Sequence, residues 1–600
     1  MYEELKGVSA ETIFEISWEV CNKVGGIYSV ITSKAALTRN IYKNYFCVGP
    51  YFKKKADEEF SEEVPPEKFV DAFKEAEKEG VKVHYGTWDI KGEPKTLLIE
   101  FDGIAWQKNE LKKRFWDEFG IDSLFAGWEF EEPMLFSCAV ALVLRKMEMV
   151  GCFKTRKTVI HVHEWMTGFT IMRLKQLESS LSTVFTTHAT ILGRSISSNS
   201  QNLYDILGKF NPYEKAREIG VIDKFTAERA AANSATVFTT VSEITASEAD
   251  IILGRMPDVI LLNGLDMEKF PSTEEAAIRH VTSRKMLREM IAYTFFPYYK
   301  FELEKNLMYY IAGRYEFQNK GIDIFIEALG KMNRELQRTN SERTVTAFFF
   351  IAMPNNGVKM ELLENKNFYR HLSNYVHRES ESLLTKLVND FISKGGSTDG
   401  LFSKEFMQEV RKDVLRFKRL GNPVVCTHKL HEPEENNAIV KAFREHGLNN
   451  TEQDKVKVLL VPAYLDGDDS IFNLEFYDII AGCHFGVFPS YYEPWGYTPL
   501  ESGALAVPAL TTNLAGFGRF IKPVSDSFHD MKKGIYILNR KSRTKHECVS
   551  ELLEILYGFA MLKHSDRVEN KLKAKELALM ADWKVLIKNY VDAHNKALSR

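Results

Sequence analysis

The chain has 600 residues, 44% hydrophobic and 27% charged, with a formal net charge of −3. That length implies two or more domains with sizeable cores, and the near-neutral balance leaves no electrostatic footprint for nucleic acid. Seven scattered cysteines lack metal-site or redox spacing, and no apolar run is long enough to span a bilayer, so a cytoplasmic protein with reduced thiols is expected.

Residues 12–17 read as a first strand that runs into Lys23, Gly25 and Gly26, with a helix from Ser29. Strand, glycine pair and helix let backbone approach a ligand closely, although an ordinary turn has the same form. Short strands then alternate with charged stretches, and an apolar helix covers about 134–149. A strand over 158–163 ends in His163, and one over 183–187 ends in His188 and continues to Arg194. Histidines at two strand ends suit the carboxyl edge of a sheet, where open α/β folds bind ligands; a satisfied core histidine is the plain alternative. His161 and His163 share one face of their strand, but no third ligand lies nearby in sequence and metal is not expected. Strands at 236–240 and 258–262 follow, and Asn263-Gly264 closes the series with a turn.

Residues 270–305 are helical and charged, which suits a connection. A strand over 308–312 enters a loop carrying Arg314 and Lys320, two cations suited to a diphosphate or simply solvated. Residues of about 360–420 lack strand patterns. Their stripe of Leu383, Leu384, Leu387, Val388, Phe391 and Ile392 predicts a helical insertion that faces the core or pairs with another subunit. After a strand at 456–462 comes the densest stretch, a short strand at 485–488 followed by Tyr491, Tyr492, Glu493, Pro494, Trp495, Gly496 and Tyr497. Thr498-Pro499-Leu500-Glu501 has the form of a capping box with proline at the first helical position. Strand, tight loop and helix N-terminus make an anion site, with phosphate the usual guest. Glu493 and Glu501 bracket it, and Glu501 reads equally as a capping acid. The tail from Val549 is helical, with Trp583 and Tyr590 available to dock it.

Two βα series make an α/β protein of two Rossmann-like, doubly wound domains facing a cleft. Residues 1–275 form the first and 276–582 the second, with the helical insertion inside it. A phosphate cradle, two cations, two carboxylates and two histidines suit sugar transfer from a nucleotide diphosphate.

WEVCNKVGGIYSV (18–30), HEW (163–165), FTTHATILGR (185–194), ERAAANSATVFTTVSEIT (228–245), AGRYEFQNKGIDIFIEAL (312–329), GCHFGVFPSYYEPWGYTPLE (482–501) and TTNLAGFGRF (511–520) closely resemble the animal and fungal type of glycogen synthase. The resemblance covers nearly the whole chain. It implies the GT-B fold, with residues 583–600 crossing back to the first domain. It also implies glucose transfer from UDP-glucose to the 4-hydroxyl at a non-reducing end of glycogen, with retention of configuration and no metal or other cofactor. By that resemblance Arg314 and Lys320 grip the diphosphate, Glu493 lies against the donor glucose and Glu501 holds the ribose. Phe476 stacks on uracil, and Trp495 to Thr498 offer backbone N–H groups. His188, Arg194, Lys23, Gly25 and Gly26 line the donor pocket, with His163, Tyr492 and Asn263 close by. A tetramer and a glycogenin-like primer protein are further expectations.

Family members typically carry phosphorylated tails at both ends, and those segments are expected to be missing or removed here. They also carry an arginine-rich helix that reads glucose 6-phosphate. The matching helix has only Arg567 with Lys571, Lys573 and Lys575. Lysine lacks the bidentate grip of arginine, so weak or absent activation is expected, with a solvated helix face as the alternative role. Two other functions fit less well: a related transferase using ADP-glucose or a small acceptor, and a glycogen-binding scaffold. The scaffold predicts loss of Glu493, Arg314 or Lys320, and all three are present.

Overall fold

The computed structural model describes residues 7–199, 201–394, 402–528 and 531–600. The first sheet has nine strands: β1 (Thr12–Ile16), β2 (Asn44–Pro50), β3 (Phe60–Glu62), β4 (Lys82–Trp88), β5 (Lys95–Glu100), β6 (Thr158–His163), β7 (Ser182–Thr187), β8 (Val237–Thr240) and β9 (Val259–Ile260). Their spatial order is β3-β4-β5-β2-β1-β6-β7-β8-β9. All pairings are parallel except those of β4 with β3 and β5. Every residue of β1 and β6 is buried, as helices on both faces of a parallel sheet require.

The second sheet follows. Its strands are β10 (Asn306–Ala312), β11 (Thr344–Phe350), β14 (Val456–Val461), β15 (Phe485–Val487), β16 (Ala509–Thr512) and β17 (Ile535–Leu538), in the order β14-β11-β10-β15-β16-β17 and all parallel. A small antiparallel pair, β12 (Asn355–Val358) and β13 (His428–Leu430), lies apart. Strand order reverses between β1 and β6 in the first sheet and between β10 and β15 in the second. Crevices open at such switch points, beyond the carboxyl ends of the strands.

The Thr273–Phe295 helix is more than a connection. It starts in a capping box of Ser272 and Glu275 and buries Leu287, Met290 and Ile291 against the second domain. The insertion consists of two helices, Met360–Lys394 and Lys404–Phe417. Its apolar stripe does not face the core: Leu384, Val388, Phe391 and Ile392 are exposed, Ile392 to 80%. Among the described residues none covers that face.

The last helix, Trp583–Ser599, lies on the first sheet. Trp583 and Tyr590 are buried, and Trp583 Nε1 donates to Ser33 Oγ (2.7 Å). One continuous core joins this helix to Ile31 and Val184 of the first domain and to Trp495 and Phe517 of the second. Among the described residues no helix is long and apolar enough to cross a membrane.

Candidate active site

The loops after β10 and β15 meet at the switch point of the second sheet. Gly321, with φ of 70°, caps the Ile322–Arg338 helix, and a Cβ there would stand 2.2 Å from the Pro489 carbonyl oxygen. Only glycine permits that approach. Tyr491 N–H donates to Asn319 O (2.7 Å), which ties the two loops together. Lys320 Nζ therefore reaches Glu493 Oε2 at 2.6 Å, with Ser490 Oγ 3.4 Å from the same oxygen. These three residues and Thr498 line a cavity of only about 10 Å³. Arg314 is not part of this pair. Its guanidinium lies on Glu316 (3.0 Å) with the side chain 73% exposed.

The expected capping box does not form. The helix runs from Tyr497 to Ala504 and is capped by Gly496 at φ of 108°, without a side-chain bond. Gly496 starts the helix two residues early, so Thr498 is already inside the first turn and cannot act as the cap. Glu501 instead accepts from Tyr477 Oη (2.7 Å), and burial pushes its carboxyl up to about 7. Phe476 opens the Phe476–Gly482 helix half-buried, 5.7 Å between ring centres from Tyr477. Trp495 Nε1, Tyr497 Oη and Asn263 Oδ1 are buried without partners. Such atoms are uncommon in native proteins and fit a site that a polar ligand completes.

Across the cleft, Gly25 caps the Gly26–Ile41 helix. The N–H groups of Gly25 and Tyr28 donate to Glu19 Oε2 (2.8 and 2.9 Å), so an internal carboxylate already sits at this helix N-terminus. Lys23 is exposed, 5.7 Å from the Tyr28 ring centre. His163 joins His188 (3.0 Å) and Glu15 (2.8 Å), while Lys34 Nζ lies 2.5 and 2.6 Å from the two Glu15 oxygens. Burial opposes charge on Glu15, but Lys34 and His163 outweigh it and hold its carboxyl well below the usual range. Burial keeps His163 and His188 below theirs. The sequence reading missed that Glu15 brings a third donor to His161 and His163, all three within 4.8 Å. Strand β1 supplies it from far away in sequence, and the Lys34 ammonium occupies the carboxylate.

Three more buried acids surround Arg194. Glu164, in left-handed backbone at φ of 66°, accepts the His188 N–H (2.8 Å). Glu228 accepts from Thr187 Oγ1 (2.5 Å) and Ile191 N–H (2.8 Å), and Glu248 accepts from Tyr492 Oη (3.0 Å). Desolvation works against charge on Arg194, yet Glu164, Glu228 and Glu248 help raise its pKa. Burial lifts Glu228 to about 8 and Glu248 to about 7. The available sequence signal was a glutamate on the apolar side of each of two helices. Tyr492 also stacks on Tyr204 (6.0 Å), and Tyr491 Oη donates to Asp205 Oδ2 (2.6 Å), so the central loop grips the opposite domain.

A second cationic cluster is shared by two helices of the second domain. Arg567 and Lys571 of the His564–Leu579 helix face His280, Arg284 and Arg288 of the Thr273–Phe295 helix. Lys571 Nζ lies 2.5 Å from His280 Nδ1; burial, then Arg284 and Arg567, lower its pKa to about 7. Lys575 reaches the carbonyl oxygens of Pro271 and Ala504, and Lys573 pairs with Glu569 (3.1 Å). These lysines are therefore not a solvated face. Arg284 Nη2 and Arg288 Nε are buried without partners.

A family model described as glycogen synthase matches residues 15–600. The liver glycogen [starch] synthase of Rattus norvegicus is 35% identical over 596 residues, covering 98% of this chain and 83% of that protein. Glycogen [starch] synthase isoform 2 of Saccharomyces cerevisiae is 35% identical over 612 residues, covering 98% and 86%. Among solved structures, the catalytic domain of starch synthase IV from Arabidopsis thaliana, bound to ADP and acarbose, superposes with a TM-score of 0.52 at 13% identity. It covers 99% of this chain and 100% of that one.

Proposed function

The chain belongs to the glycogen synthase family, with the GT-B fold and glucosyltransferase activity towards glucan, and from that premise we propose that it extends glycogen from UDP-glucose with retention of configuration. The observation that supports the site assignment is the Lys320–Glu493 pair at the β10/β15 switch point, on the loop whose Tyr492 bonds Glu248 of the first domain.

In this reading the diphosphate leaves against Lys320, Lys23, Arg314 once its loop turns inward, and backbone N–H groups of 495–498, with no metal required. Glu501 holds the ribose, while Phe476 and Tyr477 flank the base. Glu493, with Lys320 on one oxygen, supports the sugar electrostatically rather than attacking it. The C1–O bond to the diphosphate breaks, the acceptor 4-oxygen bonds to C1 on the same face, and its proton passes to the leaving phosphate. Asn263, Trp495 and Tyr497 offer their unpartnered polar atoms to the donor.

The same reading gives the Arg284, Arg288, Arg567 and Lys571 cluster to a phosphate ester. Arg284 adds a buried guanidinium whose Nη2 has no partner, but Arg288 is held by Glu304 (2.8 and 2.9 Å), so activation by glucose 6-phosphate is proposed to be weak or absent. The exposed stripe of the Met360–Lys394 helix supports a homo-oligomer, and seven buried free cysteines suit the cytoplasm. A glycogenin-like primer fits the acceptor chemistry.

Incorporation of labelled glucose into glycogen tests the reading, with UDP-glucose or ADP-glucose, with and without glucose 6-phosphate, beside Glu493→Gln. Transfer from UDP-glucose that the variant abolishes is the expected result; preference for ADP-glucose would replace the donor, and no transfer by folded protein would overturn the assignment.

A further inference from the structure

Two chains of hydrogen bonds run through the buried histidines of the first domain, and the proton on each ring follows from its neighbours. The first chain starts at Tyr42, whose Oη lies 2.6 Å from His594 Nδ1. His594 Nε2 is 3.0 Å from His161 Nδ1, and His161 Nε2 is 2.7 Å from Thr186 Oγ1. Thr186 Oγ1 lies 2.6 Å from Thr239 Oγ1, which donates to the Phe185 carbonyl oxygen (3.0 Å). A hydroxyl has one proton, so every link is fixed backwards from that carbonyl. Thr186 donates to Thr239, His161 to Thr186, His594 to His161 and Tyr42 to His594. The chain closes on backbone, and its role is structural.

The second chain starts from a charge. The two Glu15 oxygens accept from the Lys34 ammonium (2.6 and 2.5 Å), and Oε2 also accepts from Tyr45 Oη (2.5 Å). Burial opposes that charge, but Lys34 and His163 outweigh it and Glu15 stays ionised. A carboxylate only accepts, so His163 Nε2, 2.8 Å from Glu15 Oε1, carries a proton. Burial keeps His163 neutral, which leaves its Nδ1 a bare acceptor. His188 Nε2 lies 3.0 Å from that nitrogen and must therefore donate. Burial keeps His188 neutral as well, so its Nδ1 holds a lone pair.

Unlike the first chain, this one has an open end. His188 Nδ1 has no partner among the described residues, yet it is not one of their enclosed unpartnered atoms. The residue is 7% exposed and follows the carboxyl end of β7, the edge at which open α/β sheets bind ligands. The first chain orders two histidines without any charge, so packing alone does not call for a lysine–carboxylate pair, whose burial is costly. What the pair adds is direction. With the opposite tautomer, His188 would set its Nε2 lone pair against that of His163 Nδ1.

We infer that Glu15 and Lys34 are positioning residues for glucosyl transfer: through His163 they fix His188 in the Nε2–H tautomer and so present its Nδ1 to the donor sugar as an acceptor for one hydroxyl. This rests on the glucosyl-transfer reading above and on the place in the donor pocket that the family resemblance gives His188.

Nitrogen spectra of wild-type protein labelled with ¹⁵N-histidine test the tautomer directly, with the His188 signals assigned by their loss in His188→Asn. A protonated Nε2 and a bare Nδ1 are expected; a proton on Nδ1 would overturn the inference whether or not the protein transfers glucose. In Glu15→Gln/Lys34→Met, which leaves neither charge buried alone, His188 is expected to show both tautomers. Its kcat/KM for UDP-glucose should fall roughly tenfold, the scale of one misdirected hydrogen bond, with the KM for glycogen changed less than twofold. Adding His188→Ala to that variant should lower kcat/KM no further than His188→Ala alone, because groups that act through one another are not additive. Fully additive losses, or an unchanged His188 tautomer in the double variant, would overturn the positioning role. No transfer by folded wild type would sink the functional reading, whereas weaker UDP-glucose binding by the double variant in calorimetry would still support the role of Glu15 and Lys34.

Discussion

Lys320 and Glu493 are each positioned by a neighbouring glycine. Gly321 lets its loop press on Pro489, and Gly496 lets the next helix start over the Glu493 side chain, where a Cβ would come within 3.3 Å of Glu493 Cγ. Gly496→Ala is expected to cost about 1–2 kcal/mol for its left-handed backbone, read as a lower denaturant midpoint, and to lower kcat by moving Glu493. Glu493→Gln keeps the shape and removes the charge. Its kcat is expected to fall about 10²- to 10³-fold, the scale of a lost electrostatic contact to a transition state. Stability should change by less than about 1 kcal/mol, because the pair is partly open to solvent.

Two helices show how an element's role depends on what covers it. In the Trp583–Ser599 helix, His594 is fully enclosed, bonded to Tyr42 Oη (2.6 Å) and His161 (3.0 Å), and burial lowers its pKa to about 3. His594→Ala leaves a cavity and two buried polar groups unpaired. It is expected to cost about 2–4 kcal/mol in chemical denaturation. The Met360–Lys394 helix is the opposite case, apolar where it meets solvent. Leu384→Glu combined with Phe391→Glu is expected to reduce the assembly size in light scattering and leave the melting temperature of the folded domains nearly unchanged, because neither side chain packs in a core.

At the scale of the whole molecule, buried acids near the cleft tie stability to pH. Glu228 at about 8 and Glu248 at about 7 lie above the usual 4.5. The folded state therefore holds protons that the unfolded chain releases, and stability from these groups is present below about 4.5 and lost as pH rises through 7–8. Lys571, lowered to about 7, acts in the other direction, adding stability as pH rises from 7 towards its ordinary value. A comparison with Glu228→Gln isolates the acid: relative to the wild type, the variant is expected to gain stability between pH 5.5 and 8.5 in thermal melts. A constant difference across that range would show that Glu228 is ionised throughout. Closure itself rests on Tyr491–Asp205 and Tyr492–Glu248, which cross from one domain to the other.

Much of this protein is written locally. Alternating apolar runs and helical stretches specify the two βα series. The rare SYYEPWGYTPLE segment marks the loop that carries Glu493, because a strand end, a left-handed glycine and a helix N-terminus are all short-range features. Partners far apart in sequence are decided only by the tertiary structure. Glu15, Glu164, Glu228 and Glu248 look like ordinary acids until strand order sets them beside His163, His188 and Arg194. Arg284 and Arg288 join Lys571 only because two helices nearly 300 residues apart pack together. The local rule also misled at Thr498, where a capping pattern gave way to Gly496, and at the Met360–Lys394 stripe, where periodicity shows that a face is apolar but not what lies against it. Hydrophobic period and turn chemistry act within a few residues, whereas desolvation and charge pairing depend on which distant groups share a buried space.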